Sequence, residues 1–389
     1  MNDFSFSTVP HIVSAAGAAG YLGEHSRERF PDAHRALLVT DAGFLATGLA
    51  GAPIANLEAC GFHVKTYSDV IADPPEHIVL NAVQIARDHG TDLVIGLGGG
   101  SSMDVAKLIA VLAGSDQPLA EAYGIGNVRG RRLPLVQVPT TAGTGSEVTN
   151  IAIVTTGATT KTGVVAPQLY ADVAILDAAL TLGLPPHVTA ATGIDAMVHA
   201  IEAYTSRQKK NPLSDMLARE ALRLLSANLL PACEGGADRA ANLTARQAML
   251  LGALLAGQAF ANAPVAAVHA LAYPIGGIFH VPHGLSNALV LPHVLRFNMP
   301  AAAAHYAELA AIVAPHAQGT VEARAEAFVR AMEQLAGSTK IDSRLCDVGI
   351  VETDLDRLAD AAMLQTRLLG NNPREITRTD ARAIYAAAL

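Results

Sequence analysis

The sequence has no tryptophan, and aromatic residues make up only 4% of its 389 residues. It also lacks an excess of positive charge, because 27 Lys and Arg residues face 35 Asp and Glu residues, for a formal net charge of −8. Binding a nucleic acid takes a basic face for the phosphates and aromatic side chains on which bases stack. The composition therefore argues against a nucleic-acid partner.

Long apolar runs are missing as well. No stretch reaches 18 consecutive apolar residues without a charge or a turn signal, whereas a membrane-spanning helix needs about 20. We therefore expect no membrane partner. With 51% hydrophobic and 16% charged residues, the chain is too apolar for a disordered protein and long enough for two domains.

Cysteine is scarce. Cys60, Cys233 and Cys346 lie far apart and form no C-x-x-C pair, so neither a disulfide framework nor a thiolate metal site is indicated. The N-terminal residues show no basic segment followed by an apolar one, which is the pattern of a signal peptide. Together these observations predict a cytoplasmic protein.

The first half of the chain alternates between strand-like and helix-like segments, which predicts a parallel α/β sheet. Strands are predicted at 36–40, 62–67, 92–97, 135–138, 151–155 and 173–176, and helices at 81–89 and 103–113. Beyond the turn signal at 182–186 the periodicity is helical, at 190–205, 212–229, 245–260, 301–314, 320–335 and 379–388. We therefore predict an α/β dinucleotide-binding domain at 1–184 and an all-α domain at 185–389.

Two loops that follow predicted strands carry small and hydroxylated residues. The first, 96–104, contains Gly98, Gly99 and Gly100 followed by Ser101. It is not a G-x-G-x-x-G motif, but such glycines let backbone N–H groups approach a pyrophosphate at a helix N-terminus. The alternative is a tight turn in which Ser101 or Ser102 caps the helix.

The second loop, 139–148, reads PTTAGTGSEV and offers four hydroxyl groups beside one carboxylate. By itself it is also compatible with an ordinary loop. Loops at the carboxyl ends of parallel strands meet in one crevice, where open α/β sheets bind ligands. The two loops together predict a nucleotide site.

A metal site is suggested by one carboxylate and three imidazoles. Asp195 and His199 are four residues apart on a predicted helix and so share one face, while His269 and His283 follow later. These donors suit Fe²⁺, Zn²⁺ or another divalent ion. By itself, the spacing of Asp195 and His199 favours a local hydrogen bond over a metal site.

Four segments occur together in a characteristic order: Gly98–Ser101, 139–147, 193–202 (GIDAMVHAIE) and His269-x13-His283-Gly284. With them the chain resembles the iron-containing (group III) alcohol dehydrogenases over nearly its whole length. The resemblance implies a dehydroquinate synthase-like fold, with an α/β nucleotide-binding domain followed by an all-α domain. It also implies a homodimer or larger assembly that acts on a small-molecule alcohol or carbonyl compound.

The resemblance implies a role for individual residues too. The metal ligands would be Asp195, His199, His269 and His283, with Fe²⁺ bound, or Zn²⁺ or another divalent ion. The metal would polarise the substrate oxygen while a hydride passes between the substrate and NAD. The residues that would bind NAD are Gly98, Gly99, Gly100 and Ser101 at the pyrophosphate, Asp41 and Asp104 at the riboses, and Thr140, Thr141, Thr144, Ser146, Val148 and Lys161 around the rest.

One position departs from the family pattern. Many members have a second histidine four residues after the third ligand, and here that residue is Tyr273. Either Tyr273 or His280, or a chain of waters, would carry the proton. Because the ordinary pKa of tyrosine is near 10, we expect Tyr273 to shape the pocket rather than to act as the essential base.

Other functions remain open at this point. A hydroxyacid–oxoacid transhydrogenase or a maleylacetate reductase would have the same fold, although the latter usually lacks the metal ligands. A metal-dependent hydrolase would need the two glycine-rich loops to be purely structural. A non-catalytic nucleotide-binding module would leave the four metal-ligand positions without a function.

Overall fold

The structure is a computed structural model. Along the chain, a block of alternating strands and helices is followed by a block of helices. The model describes residues 3–157, 160–234 and 239–389. The chain divides into an α/β unit, Thr8–Gly183, and a helical unit, which consists of Leu184–Leu389 and the described residues up to Ser7. The predicted domain limits, 1–184 and 185–389, assign this N-terminal segment to the first domain. In the structure Ser7 exchanges two backbone hydrogen bonds with the side chain of Asn262, at 2.8 and 2.9 Å.

All strands of the described residues lie in the α/β unit. They are β1 (His11–Ser14), β2 (Arg35–Asp41), β3 (His63–Val70), β4 (Leu93–Gly98), β5 (Gly124–Ile125), β6 (Leu135–Pro139), β7 (Ile151–Thr156), β8 (Thr160–Val165) and β9 (Val173–Leu176).

The α-helices occur in both units. Those of the α/β unit are α1 (Leu22–Arg29), α2 (Ala42–Ala46), α3 (Gly51–Ala59), α4 (Glu76–His89), α5 (Gly100–Leu112) and α6 (Leu119–Ala122). Those of the helical unit are α7 (Pro186–Thr205), α8 (Pro212–Glu234), α9 (Arg239–Asn262), α10 (Ala267–Phe279), α11 (His283–Val313), α12 (Val321–Ser338), α13 (Leu355–Met363), α14 (Thr366–Leu369) and α15 (Arg378–Ala388).

A six-stranded sheet in the order β1-β9-β6-β4-β2-β3 forms the centre of the α/β unit. Every neighbouring pair in it is parallel, which confirms the predicted parallel sheet. All six residues of β4 and all five of β6 are buried, as expected for strands covered on both faces. This is why β4 reads as an uninterrupted apolar run, while β6 is apolar except for the buried Gln137.

The strand order defines where a ligand can bind. From β2 the chain continues to β3 on one side, and it then returns to β4 on the other side of β2. Open α/β sheets bind ligands at such a switch point, outside the carboxyl ends of the strands. Here those ends are Asp41 on β2 and Gly98 on β4.

The strand predicted at 151–155 does not join this sheet. It forms β7, which pairs antiparallel with β8 in a separate three-stranded sheet of order β5-β8-β7. The predicted strand is confirmed, but its place in a second sheet was not predicted. Apolar alternation identifies a strand, but it does not identify the strand's neighbour.

The described part of residues 184–389 is helical and without strands, which confirms the all-α prediction. Helix α7 packs against α8, α9 and α11. Gly284, in the first turn of α11, lets α11 approach α7 closely. A Cβ at this position would lie 2.5 Å from the backbone oxygen of Ala191 on α7, so a larger residue would push α11 away.

The sequence pattern did not predict helix α10 or the first half of helix α11. Pro274 lies inside α10, and Pro292 and Pro300 lie inside α11. Proline removes a backbone donor and usually ends a helix, so the pattern favoured breaks. Burial of the apolar faces of these helices overrides that preference.

Among the described residues, no single helix is long and apolar enough to span a membrane. The segments Asn242–Asn262 and Ala267–Phe279 meet those criteria of length and composition only as a pair, and they are bent by 106°.

Candidate functional site

A glycine turn joins β4 to α5 in the α/β unit. Gly99 is the N-cap residue of α5, and among the described residues no side-chain hydrogen bond caps this helix. Ser101 and Ser102 lie inside the first turn, so the alternative of a serine cap was wrong. The first backbone N–H groups of the helix are left for another acceptor, as an anion site requires.

The three glycines differ in the space around them. A Cβ on Gly98 would lie 2.7 Å from the Cβ of Ser102, and a Cβ on Gly100 would lie 2.7 Å from Cγ2 of Thr144. A Cβ on Gly99 would meet nothing nearer than Thr141, at 3.8 Å. Packing inside the unit thus requires the outer two glycines, while the backbone of the middle one stays accessible.

The loop after β6 meets this turn, as the sequence predicted. Thr141 and Thr144 are the neighbours of Gly99 and Gly100. The buried Thr140 donates its backbone N–H to the carbonyl oxygen of Gly98 at 3.0 Å. The two loops therefore form one surface at the switch point of the sheet.

Asp41 lies beside the same turn. It is the N-cap residue of α2, and its Oδ1 accepts a hydrogen bond from the backbone N–H of Phe44 at 2.8 Å. Its Oδ2 would lie 3.7 Å from a Cβ built on Gly98. One oxygen of this carboxylate therefore caps a helix while the other is next to the glycine turn.

The side chains of Asp104 and Ser146 form a hydrogen bond with each other. Oδ1 of Asp104 accepts a hydrogen bond from Oγ of Ser146 at 2.6 Å, and its Oδ2 accepts one from the backbone N–H of Ile153 at 2.9 Å. Helix α5 is thereby tied to the loop after β6 and to β7. Both residues were predicted to contact the cofactor, and in the structure they also shape the loop that would do so.

Lys107 lies beneath this loop and was not recognised in the sequence. Its side chain is fully buried, and Nζ donates to Oγ of Ser146 at 2.7 Å, to the carbonyl oxygen of Ile151 at 2.7 Å and to Oγ1 of Thr149 at 3.1 Å. Asp104 is 3.5 Å from the same ammonium group. Burial lowers the pKa of Lys107, and the charges of Asp104 and Glu147 oppose that change.

The remaining predicted cofactor residues lie around this network. Val148 is fully buried, so its side chain supports the loop from inside. The neighbouring Glu147 is also buried, and burial raises its pKa to about 7 despite its backbone hydrogen bond and the charge of Lys107. On β8, the ammonium group of Lys161 is held by Asp73 at 2.6 Å and by Oγ1 of Thr155 at 3.1 Å.

In the helical unit, the predicted ligands converge on one oxygen atom. Oδ1 of Asp195 is 3.8 Å from Nε2 of His199, 3.7 Å from Nε2 of His269 and 3.7 Å from Nε2 of His283. The ligand atoms of Asp195, His199 and His269 all lie within 4.8 Å of one another. Asp195 is only 1% exposed, whereas the side chain of His283 is 38% exposed.

Glu202 orients the third imidazole. It lies on α7, seven residues after Asp195, and its Oε2 is 2.7 Å from Nδ1 of His269. Its two oxygens also accept the backbone N–H groups of Ala266 and Val268, at 2.8 and 2.6 Å. A proton on Nδ1 that is donated to Glu202 leaves the lone pair on Nε2 directed at Asp195, as metal ligation requires.

The geometry and chemistry of these donors fit a divalent cation. Bonds of about 2.1 Å in a tetrahedral arrangement place ligand atoms about 3.4 Å apart. The separations of 3.7–3.8 Å between Oδ1 of Asp195 and the three Nε2 atoms are close to this value. Burial raises the pKa of Asp195, but the three imidazoles and a hydrogen bond from Asn287 lower it to below its ordinary value. These contacts therefore favour the ionised carboxylate, which is the form that binds a metal.

Aromatic residues surround the imidazoles. The ring of Phe260 stacks on His199 with centroids 4.3 Å apart, and the ring of the half-buried Tyr273 is 5.9 Å from that of His283. His280 is exposed and forms the C-cap of α10 with a left-handed φ of 57°. Tyr273 thus neighbours a predicted ligand, while His280 lies at the end of the same helix.

Sequence reasoning assigned no role to Glu202 and Asn287, although a signal existed for both. Glu202 is three residues after His199, and Asn287 is four residues after His283. Each therefore shares a helix face with a predicted ligand. Extending the search along those faces would have identified them.

Two family models match the chain. The model described as iron-containing alcohol dehydrogenase matches residues 10–178, and the model of the C-terminal part of the Fe-containing alcohol dehydrogenase family matches residues 189–389. Among curated proteins, long-chain-alcohol dehydrogenase 1 of Geobacillus thermodenitrificans is 42% identical over 356 residues. The match covers 90% of this chain and 89% of that protein.

The chain is also similar to solved structures over its whole length. A crystal structure of 1,3-propanediol oxidoreductase is 34% identical in sequence, and the match covers 100% of both chains with a TM-score of 0.94. Sulfoacetaldehyde reductase from Bifidobacterium kashiwanohense, solved in complex with NAD⁺, is 28% identical with a TM-score of 0.87. That match covers 100% of this chain and 99% of the other.

The Lys107 network yields a prediction about stability. Lys107→Met removes a buried cation and leaves the carbonyl oxygen of Ile151 without its ammonium donor. We expect the free energy of unfolding to fall by roughly 3 kcal/mol or more and NAD⁺ to bind more weakly, measured by thermal unfolding and by titration. Lys65→Met makes the same exchange at an exposed position on β3 and should change neither. A Lys107→Met protein with wild-type stability would contradict the prediction.

Proposed function

The chain belongs to the iron-containing alcohol dehydrogenase family, and on that basis we propose which residues carry out its reaction. It is an NAD-dependent alcohol dehydrogenase that interconverts an alcohol and its aldehyde or ketone. The substrate class is a small-molecule alcohol or carbonyl compound.

The metal ligands in this proposal are Asp195, His199, His269 and His283. The observation that carries it is the convergence of three Nε2 atoms on Oδ1 of Asp195, at 3.7–3.8 Å. A divalent cation, Fe²⁺ or alternatively Zn²⁺ or another metal, supplies when bound a positive charge that polarises the substrate oxygen. Phe260 covers one side of His199 and limits the access of water there.

The α/β unit is proposed to bind NAD(H). The uncapped N-terminus of α5 and the open backbone of Gly99 suit a pyrophosphate, with Gly98, Gly100 and Ser101 completing the turn. Asp41 suits a ribose hydroxyl, because Oδ2 is next to the turn while Oδ1 is used by the helix cap. The other proposed cofactor residues are Asp104, Thr140, Thr141, Thr144, Ser146, Val148 and Lys161.

We further propose that the enzyme works in the cytoplasm as a homodimer or larger assembly. Support for the compartment comes from the free cysteines Cys60, Cys233 and Cys346, because disulfides are rare in a reducing cytosol. Support for the assembly comes from the family resemblance.

The overall activity is tested by adding NAD⁺ and a panel of alcohols to the metal-loaded enzyme. We expect absorbance near 340 nm to rise with at least one alcohol, and aldehyde or ketone to form in equal amount. A hydrolase or a non-catalytic module would give no such signal. Transfer between a hydroxyacid and an oxoacid without free NAD⁺ would instead identify a transhydrogenase.

The ligand set predicts the loss of metal in His269→Ala. This variant removes one of the four donors and leaves Glu202 without its imidazole partner. We expect bound metal, measured by elemental analysis after dialysis, to fall far below one ion per chain, and turnover to be lost. His187→Ala removes an exposed histidine of α7 and should keep both. A folded His269→Ala protein with a full complement of metal would refute the assignment.

The position of Asp41 predicts the choice of cofactor. A carboxylate accepts hydrogen bonds from a ribose 2′-hydroxyl and repels a 2′-phosphate, so the wild type should prefer NAD(H) to NADP(H). Asp41→Gly should relax this preference, measured as kcat/KM with each cofactor. Because Asn is also a good N-cap residue, Asp41→Asn separates the loss of charge from the loss of the cap. Preference of the wild type for NADP(H) would contradict the proposal.

Tyr273 and His280 are the proposed candidates for handling the proton, and we propose that Tyr273 mainly shapes the pocket. Tyr273→Phe keeps the ring beside His283 and removes only the hydroxyl group. We expect most of kcat to remain and KM to change. Loss of general acid–base help would instead lower kcat by roughly 10²–10⁴. A drop of that size with intact metal and NAD⁺ binding would mean that the hydroxyl group of Tyr273 carries the proton.

A further inference from the structure

Asn287 lies among the predicted metal ligands. It follows His283 by one turn of α11 and is fully buried. Its Nδ2 donates to Oδ1 of Asp195 at 2.6 Å and lies 3.3 Å from Nε2 of His283 and 3.4 Å from Nε2 of His269. One amide nitrogen thus contacts three of the four proposed ligands.

The oxygen to which Asn287 donates is the one on which the imidazoles converge. A carboxylate oxygen has two lone pairs, so a hydrogen bond from Nδ2 occupies one and leaves the other for a cation. The bond also holds the carboxylate plane of Asp195 in one orientation. Metal sites depend on such outer contacts to orient their ligands.

The amide oxygen of Asn287 provides a second observation. Oδ1 is buried, and among the residues that the structure describes it has no hydrogen-bond partner. Buried amide oxygens are nearly always paired, since an unpaired one destabilises the fold. Asn287 therefore faces a place where something other than the described protein atoms completes its contacts.

We infer that Asn287 is a positioning residue for the metal: it orients Oδ1 of Asp195 and thereby sets the affinity of the site. This inference rests on the ligand set proposed above. It predicts an effect on metal binding itself, which is measured without substrate or turnover.

The test uses Asn287→Leu, which keeps the number and branching of the side-chain heavy atoms but neither donates nor accepts. Asn298→Leu is the matched control, because Asn298 is a buried asparagine on the same helix that bonds to Asn372 at 2.9 and 2.7 Å. The control loses buried hydrogen bonds that do not involve the proposed ligands. Asn287→Ala provides a second variant in case the branched leucine side chain prevents folding.

Metal binding is measured on each full-length protein as the Kd for Zn²⁺, by competition with a chelator, and as the visible spectrum of the Co²⁺-loaded form. The unfolding temperature and the NAD⁺ affinity are measured as controls. We expect Asn287→Leu and Asn287→Ala to raise the Kd by about 10–100-fold and to change the Co²⁺ bands, which report on ligand geometry. Asn298→Leu should lower the unfolding temperature but keep the wild-type Kd and spectrum. NAD⁺ affinity should stay unchanged in all variants.

Three outcomes would overturn the inference. An unchanged Kd and spectrum in both Asn287 variants would remove its positioning role, while loss of metal in His269→Ala would still support the ligand set. An equal loss of affinity in Asn298→Leu would mean that α11 is merely destabilised. A wild-type protein that binds no Zn²⁺ or Co²⁺ would refute the ligand set and this inference together.

Discussion

A carboxylate buried as deeply as Asp195 needs partners, and this constraint organises the helical unit. Burial disfavours its charge, so the charge persists only where donors or cations surround it. Those partners come from three helices: His199 from α7, His269 from α10 and His283 with Asn287 from α11. Because all of them must reach one oxygen atom, the helices are confined to a narrow range of positions.

Packing details of the helical unit follow from that requirement. α11 must come close enough to α7 for His283 to reach Asp195, and Gly284 allows this because there is no room for a Cβ against Ala191. The carboxylate of Glu202 joins α7 to the start of α10 by accepting two backbone N–H groups in addition to His269. Side chains that contact the proposed ligands therefore also join the helices to one another.

The α/β unit contains a candidate site of a different kind. Its candidate site consists largely of backbone, since glycines and an uncapped helix end leave N–H groups for an anion. A backbone site needs its loops held from behind, and Lys107 does this by bonding to Ser146, Thr149 and Ile151. The contrast is physical: a metal is recognised by convergent side-chain lone pairs, whereas a pyrophosphate is recognised by aligned backbone dipoles.

The sequence by itself determined the alternation of strands and helices, the helical second half, and the residue types of both sites, because these depend on local periodicity and composition. Resemblance to a family added the ligand set. Only the tertiary structure decided that β7 pairs outside the main sheet, that α10 and α11 continue through prolines, and that Lys107, Glu202 and Asn287 form buried hydrogen bonds around the proposed sites. Each of these depends on contacts between segments distant in the chain, where burial outweighs local preference and where no local pattern identifies the partner.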